Sequence, residues 1–528
     1  MQHPVSGPAV ACMQPHATWT RDEHGVGRYL TVHTKCLDCH PPSSAMDFFR
    51  GFLLSARSTY RLPVFAAKRV RILGSPEEFY AELKARIRTA RRRVSLASLY
   101  IGTGDLEREL VSALEVAVTE HPGLKVNIVV DRNRGTRPDR EGNSTATLCA
   151  SLVLEKNAQL SLFKMPRDPQ ASRARLFLES YLPPRFNEMF QTFHLKAYAF
   201  DDSVVLSGAN LSTDYFTNRQ DRYIVVECPP LARFYHNVCD ILSRYSMAHA
   251  QVMEAPGHEK PDYASLKSEL ESALIVEDDL VPHDSDFAER AETLVVPTLQ
   301  LKALGIDVDE NVTLGLLHGI KERFHAGEES EIFVASGYLN FTDDYIDALR
   351  TAGARTNVVT ASPEANGFYN ALGAPGAIPL GYSMLQSRFM AAFNSYRRNE
   401  GTEKGETARC ERDVCMFEYN RPGWTFHGKG FWYTSGTAED ARPSGTIVGS
   451  SNFGWRSVLR DMESSVLLHT TNAELQEAML EEWQSMIAGC TQVDESIFQT
   501  KRRQTTEWFS WTQGHWIRPA SHLIRKFM

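Results

Sequence analysis

The chain has 528 residues, enough for two large domains or three to four smaller ones. Hydrophobic residues make up 42% and charged residues 23%, an ordinary globular composition that excludes a wholly disordered chain. With 57 basic and 65 acidic residues the net charge is −8, so a uniformly basic nucleic-acid surface is excluded and no nucleic-acid partner is expected. Any attraction for phosphate must come from local clusters.

The first 45 residues are rich in Pro, His, Ser and Thr, lack periodicity, and read as extended or disordered. Cys36-Leu37-Asp38-Cys39-His40 formally matches a haem-attachment motif, but in an unpatterned segment it reads as coincidence. Nine cysteines do not form a disulfide framework, and no run of 18 uninterrupted apolar residues marks a membrane span. From Phe48 to Ile72 the chain carries Arg50, Arg57, Arg61, Lys68, Arg69 and Arg71 without an acidic residue, interleaved with Phe48, Phe49, Phe52, Leu53, Leu54, Tyr60 and Phe65. This basic amphipathic stretch predicts mitochondrial targeting or contact with an anionic membrane surface. Met46, just before it, is a candidate start of the mature folding unit.

A regular pattern follows. Val70–Leu73 predicts a strand, and Ser75-Pro76-Glu77-Glu78 supplies a helix cap, a proline at the first helical position and early acidic charge. That helix is expected to run to about Arg92. Next come a strand at Val94–Tyr100, a helix at Leu106–Glu120 and a strand at Lys125–Asp131. The order recurs at Glu331–Ala335 (strand), Thr342–Ala352 (helix, ended by Gly353) and Thr356–Thr360 (strand). Alternating strands and helices predict parallel βαβ units, hence an α/β fold in two related halves.

The expected organisation is an N-terminal segment at 1–65, a first domain at 66–250, a linker at 251–305, a second domain at 306–490 and a tail at 491–528. Glu277, Asp278, Asp279, Asp284 and Asp286 make the linker acidic, and residues near Arg398–Arg412 predict a second polar loop. The tail joins Lys501, Arg502, Arg503, Arg518, Arg525 and Lys526 to Trp508, Phe509, Trp511, Trp516 and Phe527, a combination suited to a lipid headgroup zone or to packing on the core.

The chemical signal is duplicated. Phe193-His194-Leu195-Lys196 leads to Asp201 and Gly208-Ala209-Asn210; Phe426-His427-Gly428-Lys429 leads to Gly449-Ser450-Ser451-Asn452. On a strand, residues two apart share a face, so each His and Lys would point together. The strands after them, Val204–Ser207 and Thr446–Val448, would return as hairpins. A neutral imidazole can attack phosphorus, a second can protonate the leaving oxygen, and Lys and Asn side chains can hold equatorial oxygens. The pattern therefore predicts phosphodiester transfer, with neither metal nor other cofactor required.

These motifs resemble the phospholipase D superfamily pattern H-x-K-x4-D-x6-G-S-x-x-N. His194, Lys196, Asp201 and Gly208 keep its spacing; Ala209 then replaces Ser and Asn210 arrives two positions early. In the second copy Thr434 stands where the Asp belongs, and Ser435–Gly445 lengthens the connection, with Glu439 and Asp440 as remote substitutes. Ala97–Gly104, Ser207–Tyr223 and Gly449–Gly454 narrow the resemblance to mitochondrial-type phosphatidylglycerophosphate synthases, over about residues 66–490. That likeness implies two phospholipase D-like α/β/α domains with the active site at their interface. It implies transfer of a phosphatidyl group from CDP-diacylglycerol to sn-glycerol 3-phosphate, peripheral to the inner mitochondrial membrane.

By the same likeness His194 is the nucleophile, His427 the general acid and base, and Lys196, Lys429 and Asp201 complete the catalytic set. Asn210, Asn452 and Ser450 would contact substrate. Asp221 and Glu463, 13 and 14 residues after Gly208 and Gly449, would orient the histidines. Arg134, after a strand end, would bind the acceptor phosphate; the neighbouring Gly102-Thr103-Gly104 reads as a tight turn. The two halves complete one site within one chain, so oligomerisation is not required. A phosphatidylserine synthase-like transferase and a phospholipase D-like hydrolase or nuclease are the competing readings.

Overall fold

The computed structural model describes residues 16–21, 28–33, 52–53, 62–155, 157–166, 191–248, 262–275, 291–327, 329–369, 378–399, 414–434 and 441–499. The haem-like motif, the acidic run 277–286, Glu439, Asp440 and the 501–528 tail lie outside these residues.

Near the N-terminus, where an unstructured segment was expected, β1 (His16–Arg21) and β2 (Arg28–His33) form an antiparallel hairpin. The first half contains β3 (Phe65–Ala66), β4 (Arg69–Leu73), α1 (Pro76–Thr89), β5 (Arg93–Ser98), α2 (Asp105–Glu120), β6 (Lys125–Asp131) and β7 (Ala158–Phe163). It continues with β8 (Ala197–Phe200), β9 (Ser203–Ser207), β10 (Arg219–Gln220), β11 (Tyr223–Glu227), α3 (Pro229–Arg244), β12 (Met247–Ala248) and α4 (Tyr263–Ala273). The second half has β13 (Thr293–Pro297), a hairpin of β14 (Gln300–Leu301) and β15 (Ile306–Asp307), α5 (Val308–His325), β16 (Glu331–Ser336), α6 (Asp343–Thr351), β17 (Arg355–Ala361) and α7 (Ile378–Asn399). It closes with β18 (Val414–Tyr419), β19 (Thr425–Phe426), β20 (Lys429–Thr434), β21 (Pro443–Gly449), β22 (Ser465–Thr470), α8 (Ala473–Ile487) and β23 (Thr491–Val493).

The sequence signals act locally as expected. The Ser75 side chain accepts from the Glu78 N–H and Pro76 opens α1, although the helix stops at Thr89, where Ala90 turns extended. β6 matches its predicted bounds, and Thr342 caps α6.

The two sheets repeat one plan. The first has the order β12-β7-β6-β5-β8-β9-β11-β4, the second β23-β18-β17-β16-β20-β21-β22-β13-β3. In each, three strands run parallel, β5-β6-β7 and β16-β17-β18, as the βαβ pattern requires. An antiparallel hairpin, β8-β9 or β20-β21, then makes the sheet mixed.

A central core takes residues from both sheets, including Val129, Val226, Val359 and Val448, together with Leu231 and Tyr235 of α3 and Met479 and Trp483 of α8. Outer cores lie on the far face of each sheet. Burial of these apolar faces against one another is the main force joining the halves.

Two expected boundaries change. The 251–305 segment contributes α4 and β13, and β13 pairs with β22 inside the second sheet. β3 crosses to pair with β13, so the chain before β4 belongs to the second half's sheet. In the stretch read as a membrane-contacting surface, Phe52 and Leu53 are 4% and 2% exposed and pack in the second half's outer core. Their apolar area is already withdrawn from solvent and has none left to give to lipid.

Candidate active site

The duplicated His-x-Lys segments meet at the seam between the halves. Both histidines stand just before their strands, β8 and β20, rather than within them as expected. The reason is pairing across the seam. Phe193 bridges Met462 in parallel, and the His194 N–H donates to Met462 O (3.0 Å). Likewise β19 pairs with β10, and the His427 N–H donates to Gln220 O (2.8 Å). Each histidine loop is therefore held by the segment that follows the other half's glycine turn.

The same exchange governs the side chains. His194 Nδ1 lies 2.8 Å from Glu463 Oε2, and His427 Nδ1 lies 2.6 Å from Asp221 Oδ2. Both carboxylates are 0% exposed at the side chain, so each imidazole is oriented by a buried acid of the opposite half. Ser457 Oγ donates to the other Glu463 oxygen (2.7 Å), and the Arg222 N–H donates to Asp221 Oδ1 (2.8 Å). The predicted orienting role of Asp221 and Glu463 thus has its geometry, although neither reaches the cleft surface as a substrate contact.

The glycines allow this closeness. A Cβ at Gly208 would stand 2.9 Å from Lys429 Cδ and 3.0 Å from Asp221 Oδ1. At Gly449 it would meet Ser464 O at 2.3 Å.

His194 and His427 line one cleft of about 250 Å³ together with Arg134, Asn210, Asn452 and Tyr100. Asn210 Nδ2 donates to Tyr215 Oη (3.2 Å), while the Oδ1 atoms of Asn210 and Asn452 are buried without a hydrogen-bond partner. Arg134 lies over the Tyr100 ring, 4.3 Å from its centroid. Its loop is tied to the first histidine: Asp131 accepts from the Arg134 N–H (3.0 Å) and the Phe193 N–H (3.1 Å).

Lys196 and Lys429 are each 1% exposed and donate to their own histidine's carbonyl, at 2.8 and 2.9 Å. Burial lowers the proton affinity of both, that of Lys196 well below the ordinary lysine value, and neither forms part of the cleft lining.

Two expected site residues lie elsewhere. Asp201 occupies the β8–β9 turn at φ 46°, where its carboxylate accepts from the backbone N–H groups of Arg91 (2.9 Å), Arg92 (2.9 Å) and Arg93 (2.8 Å). It anchors the start of β5 and is not catalytic by position. Thr434 does the related work in the other half, accepting from the Glu331 N–H at the start of β16 (3.1 Å). Ser450 is wholly buried, and its hydroxyl accepts from the Ser464 N–H (3.0 Å), so it supports the turn instead of touching substrate.

Other residues line the cleft, among them Tyr215 and Arg219 of the stretch that carries the resemblance, to which the sequence assigns no role in the site. Tyr215 Oη lies 3.3 Å from His427 Nε2 and its ring stands edge-on to the imidazole. Arg219, Tyr338, Arg456 and Asp461 complete the walls. Asp461 accepts from the Thr192 N–H (2.8 Å) and from Arg456 Nη2 (3.2 Å). Tyr215 and Arg219 fall 7 and 11 residues after Gly208, and Arg456 falls 7 after Gly449, a spacing that has no meaning until the turns converge; Tyr338 has no such signal.

The electrostatics favour neutral imidazoles. Burial, reinforced by Lys196, holds His194 well below the usual histidine value; burial and Lys429 do the same to His427. Burial pushes Asp221 up to about 6 and Glu463 up to about 7, while it draws Lys429 down to about 8. With Glu463 ionised, His194 Nδ1–H donates to it and the Nε2 lone pair is free. With Asp221 ionised, His427 Nδ1–H donates likewise. The 2.8 Å approach of Lys429 Nζ to that nitrogen is then an electrostatic contact, since the lysine's hydrogen bond goes to the His427 carbonyl.

A family described as "Cardiolipin synthase, PLD-like domain" matches residues 83–240. A Gallus gallus protein named mitochondrial CDP-diacylglycerol–glycerol-3-phosphate 3-phosphatidyltransferase is 34% identical, covering 84% of this chain and 82% of its own. The Homo sapiens protein of that name is 33% identical over 88% and 83% of the two chains. A Saccharomyces cerevisiae CDP-diacylglycerol–glycerol-3-phosphate 3-phosphatidyltransferase is 32% identical over 80% and 82%. In fold, the chain is similar to phosphatidylserine synthase of Haemophilus influenzae, with a TM-score of 0.65 at 18% identity, covering 90% of this chain and 100% of that one.

Proposed function

The chain belongs to the CDP-diacylglycerol–glycerol-3-phosphate 3-phosphatidyltransferase family, and from that premise we propose how its seam performs the reaction. It is a mitochondrial enzyme that converts CDP-diacylglycerol and sn-glycerol 3-phosphate to phosphatidylglycerophosphate and CMP, the committed step toward phosphatidylglycerol and cardiolipin.

In the proposed first step the His194 Nε2 lone pair forms a bond to the lipid-bearing phosphorus. The bond from that phosphorus to the CMP phosphate breaks, and its electron pair stays on the departing oxygen. His194 is preferred because its Nε2 has no protein partner among the described residues, whereas His427 Nε2 meets Tyr215. The bound diphosphate offsets the neighbouring lysines and favours a proton on His427, which passes to the departing CMP. In the second step His427 takes the acceptor hydroxyl's proton, the oxygen bonds to phosphorus, and the nitrogen–phosphorus pair returns to His194.

Lys196 and Lys429 lower the energy of the charged phosphoryl group, and Asn210 and Asn452 supply side-chain hydrogen bonds to it. Arg134 is assigned to a substrate phosphate. No helix among the described residues is long and apolar enough to cross a membrane. Contact with an anionic membrane surface is part of the proposal, because a diacylglycerol substrate has to be met at an interface.

One observation carries this reading: two imidazoles line one cleft, each held by a buried carboxylate of the other half. The test is to mix the enzyme with CDP-diacylglycerol labelled on the lipid phosphate, quench, and map the label. Label on His194, with overall retention at a chiral phosphorus, supports two displacements; inversion excludes the covalent intermediate.

A further inference from the structure

Three guanidinium groups line the cleft: Arg134, which lies over the Tyr100 ring, and Arg219 and Arg456, which are partnered differently from one another. Arg456 is answered by Asp461, whose side chain is 6% exposed, and also reaches Thr192 Oγ1 (3.3 Å). Arg219 donates from Nε to Thr425 Oγ1 (2.9 Å) and from Nη2 to Asp214 (3.1 Å), but the Asp214 side chain is 63% exposed. Solvent screens that partner, so much of the Arg219 charge remains available to the cleft it lines.

Its position is specific. The guanidinium stacks on Tyr215, 4.5 Å from the ring centroid, and the hydroxyl of that same ring is 3.3 Å from His427 Nε2. Arg219 therefore stands at the His427 end of the cleft. Pairing of β10 with β19 fixes it there, since Arg219 is in register with Thr425, two residues before His427.

In a double displacement with His194 as nucleophile, the leaving oxygen departs from the opposite face of phosphorus. The acceptor hydroxyl later enters on that face, beside His427. The phosphate of CMP contains that leaving oxygen, and the phosphate of glycerol 3-phosphate, three carbons from the attacking hydroxyl, can fold back on the flexible glycerol chain to reach the same guanidinium. We propose that Arg219 forms a single anion subsite used twice per turnover, first by the phosphate of departing CMP and then by the phosphate of the acceptor. The inference rests on the phosphatidyl-transfer reading and adds the means by which a phosphorylated acceptor is selected. Tyr215 and Thr425 hold the guanidinium plane, and a planar fork suits a phosphate better than a point charge does.

The test compares wild type, R219Q and R219K in two assays: steady-state transfer to glycerol 3-phosphate, and exchange of labelled CMP into CDP-diacylglycerol without acceptor. Loss of a charge-assisted contact predicts a rise of roughly tenfold or more in the KM for glycerol 3-phosphate and in the CMP concentration for half-maximal exchange. R219K falls between the two, and kcat changes less than either constant. Unchanged constants with a lowered kcat overturn the subsite, as does movement of only one constant, which rejects its double use. If R219Q does not fold, R219K carries the same comparison, and wild-type constants in that variant overturn the proposal. Failure of wild type to use glycerol 3-phosphate at all rejects the activity itself and is distinguishable from failure of the subsite.

Discussion

Asp221 of the first half holds His427 of the second across 2.6 Å, in a bond that neither half can make alone. Glu463 holds His194 in the reverse direction. The two contacts make the chemistry conditional on docking of the halves. D221N keeps the shape but reverses the favoured tautomer of His427. It is expected to lower kcat by roughly 10²- to 10⁴-fold, with a smaller change in the KM for acceptor. Steady-state kinetics check this; a loss confined to KM contradicts it.

The Glu463 carboxyl, raised to about 7 by burial, sets an acid limb. Below that pH the protonated acid donates to His194 Nδ1, leaving the proton on Nε2 and blocking attack. The kcat/KM profile is expected to rise with pH through about 7, and E463Q is expected to be nearly inactive without that limb. A profile flat between pH 6 and 8 refutes the assignment.

The same shift has a stability consequence. A folded value near 7 against an ordinary 4.5 means that the native state binds this proton more tightly than the unfolded chain. Its contribution to stability is full below 4.5 and is lost as pH rises through 7. E463Q removes that loss, so its melting temperature relative to wild type is expected to increase between pH 5 and 8. Parallel thermal scans read the difference directly.

Asp201 is expected to separate stability from chemistry. D201A leaves three backbone donors at the start of β5 without their acceptor and puts alanine at a positive φ. A loss of about 1–3 kcal/mol in denaturant unfolding is expected, with kcat at permissive temperature within a few-fold of wild type. A loss of kcat comparable with that of D221N would restore Asp201 to the catalytic set.

Arg222 pins the seam behind Asp221. It pairs with Glu482 at 2.9 Å, donates to Ile447 O (2.9 Å), and lies 3.7 Å from the Trp432 ring centroid. R222M leaves a buried acid unpaired and is expected to destabilise by about 3–5 kcal/mol; the double variant R222M/E482M is expected to recover much of that in equilibrium unfolding. No recovery would mean that the carbonyl contact, not the ion pair, dominates.

The sequence alone carried the duplicated chemistry. His194, Lys196, His427 and Lys429 are legible because two rare residues recur at one spacing beside glycine turns. The parallel strands are legible too, because their apolar runs alternate with capped helices over a few residues. Asp201 is instructive: its spacing after Lys196 reports the geometry of a turn as readily as a reacting group, and only the three N–H donors around it tell the two apart. Which carboxylate serves which histidine, and where Arg219 and Arg456 stand, were decided by tertiary structure. Those pairs are separated by about half the chain, and no local periodicity encodes a contact made when two independently patterned sheets dock. Burial then supplies the final element, since the acids and imidazoles acquire their altered proton affinities only after water has been removed from the seam.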